Sequence, residues 1–265
     1  MEKKDWKNID FTEERFPVIN CPTCNRGNLT VYNNTFKREE SRDSKASANW
    51  GNNEYYNIDY RFSLLLICNN PKCKEIVSCL GKGFIEEVNE YNENTNEFDH
   101  SLVETYSPIF FYPSLNIIPI SDDYPKQLII ELKNSFSHYF SDLPSCANKI
   151  RICIEILMNE LKVKKQVQKV NKRRKLSLHE RILEFEKTNP KIAENLLAIK
   201  WIGNSASHSM MDLTQDDVLD AYEIMEFSLN ILFSKKERYI GKMTKEINKR
   251  RAPRSKTKKT QQNKI

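Results

Sequence analysis

The sequence predicts an α+β protein in which a zinc-ribbon-like β module precedes an antiparallel helical bundle. Three observations support this fold class. Four of the seven cysteines form two close pairs, the segments around them alternate like strands, and apolar residues beyond residue 122 recur every three or four positions. The predicted parts are a β module over residues 1–120, a bundle over 121–241 and a basic, disordered tail over 242–265. With 265 residues and 39% hydrophobic content, the chain can bury a core of this size.

The two cysteine pairs indicate a structural Zn²⁺ site. Cys21 and Cys24 enclose Pro-Thr, and Cys68 and Cys73 enclose Asn-Asn-Pro-Lys. Tetrahedral zinc binds four thiolates at about 2.3 Å, and such short loops can turn both thiolates of a pair toward one ion. Free buried thiols and disulfides are the less favoured alternatives. Four thiolates leave no coordination position for water, so this zinc is expected to stabilise the fold and not to catalyse hydrolysis.

The spacing of apolar residues predicts the strands of the β module. Residues 29–32 and 56–67 are predicted strands, and residues 75–80 are expected to return as a partner of the second strand. The polar residues 37–54 are expected to form a mobile loop. Residues 86–99 contain six acids and no base, which indicates a solvated loop or a hairpin tip. Cys79 is interpreted as a small buried strand residue, with a substitute zinc ligand as the alternative.

Helical spacing dominates the second half of the chain. A helix is predicted after Pro125, and residues 150–161 carry apolar side chains at the spacing of a core-facing helix. Arg151 and Glu155 lie four residues apart on the polar strip of that helix. An intrahelical ion pair is the favoured interpretation, and a pair directed into a cleft is the alternative.

Start and stop signals divide the remaining helices. Ser177 and Glu180 fit a capping box, and Pro190 suits the first turn of the next helix. Gly203 is predicted to end that helix, with Trp201 in the bundle core. Thr214 is predicted to begin the last long helix.

Positive charge is concentrated in two segments, although the net charge of the chain is only +6. Residues 162–175 contain eight Lys/Arg and no acid, and residues 242–265 contain ten Lys/Arg and one Glu. Solvated linkers are the favoured interpretation, and phosphate-directed binding of RNA or DNA is the alternative. The candidate nucleic-acid-binding residues are Lys172, Arg173, Arg174, Lys175, Arg250, Arg251 and Arg254.

The apolar runs predict a cytoplasmic protein with no membrane partner. The longest run, residues 62–68, is far shorter than a membrane-spanning helix, and no signal peptide is recognised.

The order of the motifs resembles the bacterial family called domain of unknown function 4145. The resemblance rests on a Cys-Pro-x-Cys knuckle, a second cysteine pair, a helix of the type Ala-x-x-x-Arg-x-x-x-Glu and a Gly-Asn-x-x-x-His segment. The residues that match the two helical signatures are Ala147, Arg151, Glu155, Gly203, Asn204 and His208. The resemblance implies a HEPN-like bundle, a homodimer and a place in bacterial phage-defence or toxin systems.

Active HEPN ribonucleases use an Arg and a His separated by four to six residues, and they cleave RNA without a metal. No Arg stands at that distance before His208, and the nearest cation on that side is Lys200. A ribonuclease would therefore use His208 as acid and base, Arg151 or Lys200 as phosphate clamp, and Asn204 and Glu155 as positioning groups. The alternative for His208 is a structural role in the bundle.

Three functions follow from these features. The favoured one is a zinc-stabilised protein that binds nucleic acid or a protein partner. The first alternative is a metal-independent endoribonuclease, and the second is a non-catalytic dimerisation scaffold.

Overall fold

The first half of the chain forms an antiparallel sheet. The computed structural model describes residues 3–7, 9–49, 55–92, 96–169, 172–208, 213–251 and 253. The elements of this half are α1 (Lys3–Lys7), β1 (Ile19–Asn20), β2 (Asn28–Val31), β3 (Lys37–Glu40), α2 (Arg42–Asn49), β4 (Asp59–Cys68), β5 (Ile76–Asn92) and β6 (Glu97–Tyr112). The strand order is β1-β2-β4-β5-β6, and β3 also pairs with β4.

Side chains of the sheet alternate between a buried and an outer face, as the period of two requires. Leu64 and Leu66 of β4 are buried, whereas Ser63 between Phe62 and Leu64 is exposed. Phe62 packs edge-on against Phe11 at a centroid distance of 5.3 Å. The predicted strands at 29–32 and 75–80 correspond to β2 and the start of β5. The predicted strand at 56–67 corresponds to β4 except at its beginning, where Tyr55–Asn57 form a short 3-10 helix.

Two predicted loops are wrong. Residues 37–54 include β3 and α2, with residues 50–54 outside the described part of the chain. The strand β3 is polar and therefore lacks the alternation that predicts a strand, but it pairs with β4 along one edge. The basic residues 162–175 are not a linker, because they include the paired strands β7 (Gln166–Lys169) and β8 (Lys172–Lys175), with 170 and 171 not described. The acidic residues 86–99 belong to the long β5–β6 hairpin, with 93–95 not described.

The second half of the chain is helical. Its helices are α3 (Lys126–His138), α4 (Leu143–Glu160), α5 (Leu178–Glu186), α6 (Pro190–His208), α7 (Gln215–Phe233) and α8 (Lys235–Arg250). The core helix α4 contacts α3, α5, α6 and α7, because it buries Ile150, Ile154 and Leu157. The predicted capping box between Ser177 and Glu180 is confirmed, and so is the predicted start of the last long helix at Thr214, which forms a second capping box with Asp217.

The predicted end of α6 at Gly203 is wrong, and so is the buried position of Trp201. The helix continues through Gly203 and Asn204 to His208. A Cβ at Gly203 would lie 2.9 Å from the Cβ of Arg151 and 3.1 Å from the carbonyl oxygen of Ala147. This glycine therefore lets α6 approach α4 and does not stop the helix. Trp201 is 54% exposed, so it lies at the surface of the bundle.

The predicted disordered tail is also wrong over its first residues. The helix α8 crosses the predicted boundary between residues 241 and 242 and ends at Arg250. Beyond Arg251, only Pro253 is described. None of the described helices combines the length and apolar character needed to cross a membrane.

The sheet and the helices share one continuous hydrophobic core. Phe111 of β6 packs against Phe140, which follows α3, at a centroid distance of 5.2 Å. Asn116 donates a hydrogen bond of 2.9 Å to the carbonyl oxygen of Pro22, which lies between the first two cysteines. The segment that joins β6 to α3 therefore contacts the loop that carries the first cysteine pair.

Candidate metal centre

Two loops with similar backbone geometry carry the four cysteines. The first loop follows β1, and the amide of Asn25 donates to the carbonyl oxygen of Cys21 at 3.0 Å. The second loop joins β4 to β5, and the amide of Lys74 donates to the carbonyl oxygen of Asn70 at 3.2 Å. Asn25 and Lys74 directly follow the second cysteine of each pair, and both have positive φ values, 50° and 55°. Each loop thus reverses direction immediately after its second thiol.

The four thiols converge at one point. The Sγ atoms of Cys21 and Cys73 are 3.8 Å apart, and those of Cys24 and Cys68 are 3.7 Å apart. All four sulfurs lie within 4.8 Å of one another. Four ligands placed tetrahedrally at about 2.3 Å from an ion are about 3.8 Å apart, whereas a disulfide requires a separation of about 2.05 Å. The spacing is that of a four-thiolate metal site, and the four cysteines can hold a metal such as zinc.

Backbone donors shape the electrostatics of the cluster. Backbone N–H groups of Arg26 and Gly27 donate to Cys24 and lower the pKa of its thiol to about 6. Burial has the opposite effect on Cys21, whose pKa rises to about 12. The side-chain amide of Asn70 donates to the Sγ of Cys24 at 3.6 Å. These donors would offset part of the negative charge that four thiolates keep after binding a divalent cation.

Gly27 is a site residue that the spacing of the cysteines does not reveal. A Cβ at this position would lie 2.7 Å from the Sγ of Cys68 and 2.8 Å from the side-chain oxygen of Asn69. The backbone of the first loop therefore approaches the second loop as closely as glycine permits. A glycine three residues after the second cysteine of the first pair was the available signal.

Cys79 is a buried strand residue outside the cluster, which confirms the favoured interpretation. Burial raises the pKa of its thiol to about 12. Cys146 and Cys153 are buried in α4, where Cys146 lies 3.1 Å from the hydroxyl oxygen of Tyr222.

The residues proposed for catalysis lie where α4 meets α6. The guanidinium of Arg151 donates to Glu155 at 3.0 Å, so the intrahelical ion pair is confirmed. Lys200 is buried, and its ammonium lies 3.4 Å from the centroid of the Trp201 ring. Burial and the charge of Arg151 lower the pKa of Lys200. The positive charge of Arg151 on α4 therefore acts on Lys200 of the facing helix α6.

The other two proposed catalytic residues lie on the same helix as Lys200. Asn204 is half-buried one turn after Lys200. His208 is the last residue of α6, and its side chain is outside the described part of the structure.

Family comparisons cover both halves of the chain. Residues 133–250 match the family model of a domain of unknown function, number 4145. This helical region belongs to the 4145 family. Residues 9–111, which include all four cysteines of the cluster, match a second domain of unknown function, number 8608. No curated protein and no solved structure matches the chain.

The 4145 region also contains most of the predicted nucleic-acid-binding residues. In the β7–β8 hairpin, Arg173, Arg174 and Lys175 are exposed, whereas the side chain of Lys172 is outside the described residues. Both nitrogens of the Arg174 fork bind Glu180, at 2.6 and 3.0 Å. The remaining candidates lie at or beyond the end of α8, where Arg250 and Arg251 are exposed and Arg254 is not described.

Proposed function

We propose that the protein is a zinc-stabilised nucleic-acid-binding protein. In this proposal the cysteine cluster holds zinc and stabilises the sheet half, while α8 contacts phosphates. The observation that carries the proposal is the exposure of α8. Each of its described side chains is exposed except that of Met243, which is half-buried. A basic helix on the surface of a protein commonly binds the phosphate backbone of a nucleic acid.

The cations of α8 are arranged along the helix. Three lysines share one face, because Lys245 and Lys249 follow Lys242 by three and seven residues. Arg250 comes directly after the last of them. No salt bridge to these four residues occurs among the described residues. Because the contacts would be to phosphates, binding should depend strongly on salt and weakly on sequence.

The test is fluorescence anisotropy with labelled single-stranded RNA and DNA of one sequence, titrated at several KCl concentrations. The variant replaces Lys242, Lys245, Lys249 and Arg250 by Gln. The plot of log affinity against log salt should lose about 3 from its slope, because each phosphate contact contributes about 0.7 for single strands.

A control of equal charge replaces the exposed lysines Lys37, Lys82, Lys126 and Lys133 by Gln. It should keep the wild-type slope. The proposal is wrong if wild-type protein shows no salt-dependent binding, or if both variants change the slope equally.

The second candidate is a metal-independent ribonuclease, supported by the close approach of α6 to Arg151 of α4 at Gly203 and by the effect of the Arg151 charge on Lys200. His208 would transfer protons while these cations stabilise phosphoryl charge. The assay is RNA cleavage in EDTA-containing buffer by protein whose retained zinc is verified by mass spectrometry, comparing wild type with His208→Ala. Cleavage by wild type alone is expected, and equal absence of cleavage would rule this candidate out.

The homodimer and the phage-defence setting remain predictions from the resemblance, and a protein partner remains a prediction from the sequence features. A dimerisation scaffold would form an oligomer in light scattering and show no nucleic-acid binding. The anisotropy assay therefore also separates this alternative from the leading proposal.

A further inference from the structure

A cleft in the helical half combines cations from three parts of the chain. It has a volume of about 540 Å³ and lies between α4, the β7–β8 hairpin and the beginning of α5. The cations that line it are Lys165, Arg174, Lys175 and Arg181. Two carboxylates, Glu155 and Glu180, also line it. The cleft is therefore net positive.

Arg181 is the unusual member of this set. Its side chain is buried, with 7% of the residue exposed, and it forms no salt bridge with a carboxylate of the described residues. Nη2 donates to the side-chain oxygen of Asn159 at 3.0 Å and to the carbonyl oxygen of Val163 at 3.2 Å. Nε is buried without a hydrogen-bond partner in the described structure. Buried guanidinium groups are normally paired with an anion.

The two carboxylates of the cleft are engaged with other arginines. Glu155 accepts from Arg151 at 3.0 Å, and Glu180 binds the fork of Arg174. The charge of Glu155 acts on Arg181 only from a distance, and burial lowers the pKa of Arg181. Arg181 and the exposed Lys165 and Lys175 thus share a cleft whose anions are already neutralised.

We propose that this cleft binds a phosphate group, with Arg181 near its base and Lys165 and Lys175 at its mouth. A phosphate provides several acceptor oxygens and up to two negative charges, which matches one guanidinium and two ammonium groups. The phosphate could belong to a mononucleotide or to the backbone of a nucleic acid. The site does not require α8, so it goes beyond the function proposed above.

The test uses the full-length variant that carries Gln at the four α8 cations, because this background removes the expected binding by α8. Calorimetry measures the affinity for inorganic phosphate, 5′-AMP and adenosine. Phosphate and 5′-AMP should bind, and adenosine should not. A single-stranded oligonucleotide with and without a 5′-phosphate then identifies the source of the phosphate. If only the oligonucleotide with a 5′-phosphate binds, the cleft takes a terminal phosphate. If both oligonucleotides bind equally, it takes a phosphate of the backbone.

Further substitutions on the same background locate the binding site. The double change Lys165→Ala and Lys175→Ala removes two exposed side chains, so the fold should persist while phosphate affinity falls about tenfold. Arg181→Lys keeps a cation but loses the guanidinium fork, and it should lower the affinity for phosphate by a similar factor. Lys133→Ala on α3 is the matched control and should bind like its parent.

The possible results separate this site from the α8 proposal. If inorganic phosphate and 5′-AMP fail to bind the folded parent, the cleft is not a phosphate site, whatever α8 does. If they bind and the double change leaves their affinity at the Lys133→Ala level, the site lies elsewhere. Loss of folding in Arg181→Lys leaves the double change to decide the matter, because its two side chains are exposed.

Discussion

The cysteine loops and the α4–α6 helix pair both join segments that are distant in sequence, but they do so by different means. At the helix contact, Gly203 lies directly against Ala147 and Arg151 and leaves no room for a side chain. Close packing of this kind is stabilised by many dispersion contacts. At the loops, the atoms that converge are four sulfurs within 4.8 Å of one another.

Four thiols gain little from meeting, and four thiolates would repel one another. Backbone donors and Asn70 interact with Cys24, yet no cationic side chain forms a salt bridge or hydrogen bond with any of the four sulfurs in the described residues. A divalent ion would supply the missing attraction. The comparison indicates that the α4–α6 contact needs only the polypeptide, whereas the contact between the two cysteine loops depends on a metal.

The largest expected effect is that of removing one thiol. Cys68→Ser should abolish stoichiometric zinc binding and loosen the sheet half, because structural zinc contributes on the order of 10 kcal/mol and whole domains are stable by only about 5–15 kcal/mol. Zinc per chain is measured by mass spectrometry of the purified protein. Hydrogen exchange should show loss of protection in β2 and β4 and a smaller loss in α4.

Cys79→Ala is the control, because this buried thiol lies outside the cluster. It should keep one zinc per chain. Full zinc occupancy and unchanged melting of Cys68→Ser would show that the loops join without the metal and would remove the contrast with the helix pair.

A smaller effect is expected at the helix contact. Gly203→Ala places a methyl group 2.9 Å from the Cβ of Arg151, so one helix must shift, and the free energy of unfolding should fall by about 1–3 kcal/mol. Gly241→Ala in α8 is the matched control, because no atom lies within 4 Å of its Cβ position. There alanine should raise helix stability by about 0.5–1 kcal/mol.

Urea denaturation followed by circular dichroism measures both changes. A lower stability for Gly203→Ala and a higher stability for Gly241→Ala would support a close contact specific to Gly203. If Gly203→Ala stabilises the protein as Gly241→Ala does, α6 and α4 are not in direct backbone contact. Close packing would then not explain how these two helices are held together.

Features governed by local rules were predictable from the sequence. The two cysteine pairs, the capping box at Ser177, the helix start at Thr214 and the Arg151–Glu155 pair each depend on residues at most five positions apart. Their geometry follows from the chain itself, and the structure confirms the capping box, the helix start and the ion pair.

Features created by distant contacts were not predictable. A glycine after an apolar run resembles a helix stop, and only the contact with α4 reveals why Gly203 lies inside a helix. The polar strand β3 lacks a hydrophobic pattern, because its partner β4 supplies the pairing. Arg181 meets Asn159 and Val163 across 22 and 18 residues, a separation that no motif encodes.

A third kind of contact, between the exposed charges of β8 and α5, should have the smallest effect on stability of the three. Arg174 on β8 binds Glu180 on α5, and with Ser177 it lowers the pKa of Glu180 to about 2. A carboxyl whose pKa is lowered by folding stabilises the protein above its ordinary value of 4.5, and this contribution is lost as the pH falls toward about 2. The stability difference between wild type and Arg174→Ala should therefore be constant from about pH 7 to pH 5 and shrink at about pH 4.

Salt provides the second measurement for this contact. Exposed ion pairs are screened, so the same difference should decrease in about 0.5 M NaCl. Ser177→Ala removes an uncharged helix cap, costs about 1 kcal/mol and should keep most of its effect in salt. A difference for Arg174→Ala that persists at high salt would mean that the hairpin is held to α5 by packing, as α6 is held to α4, and not by charge.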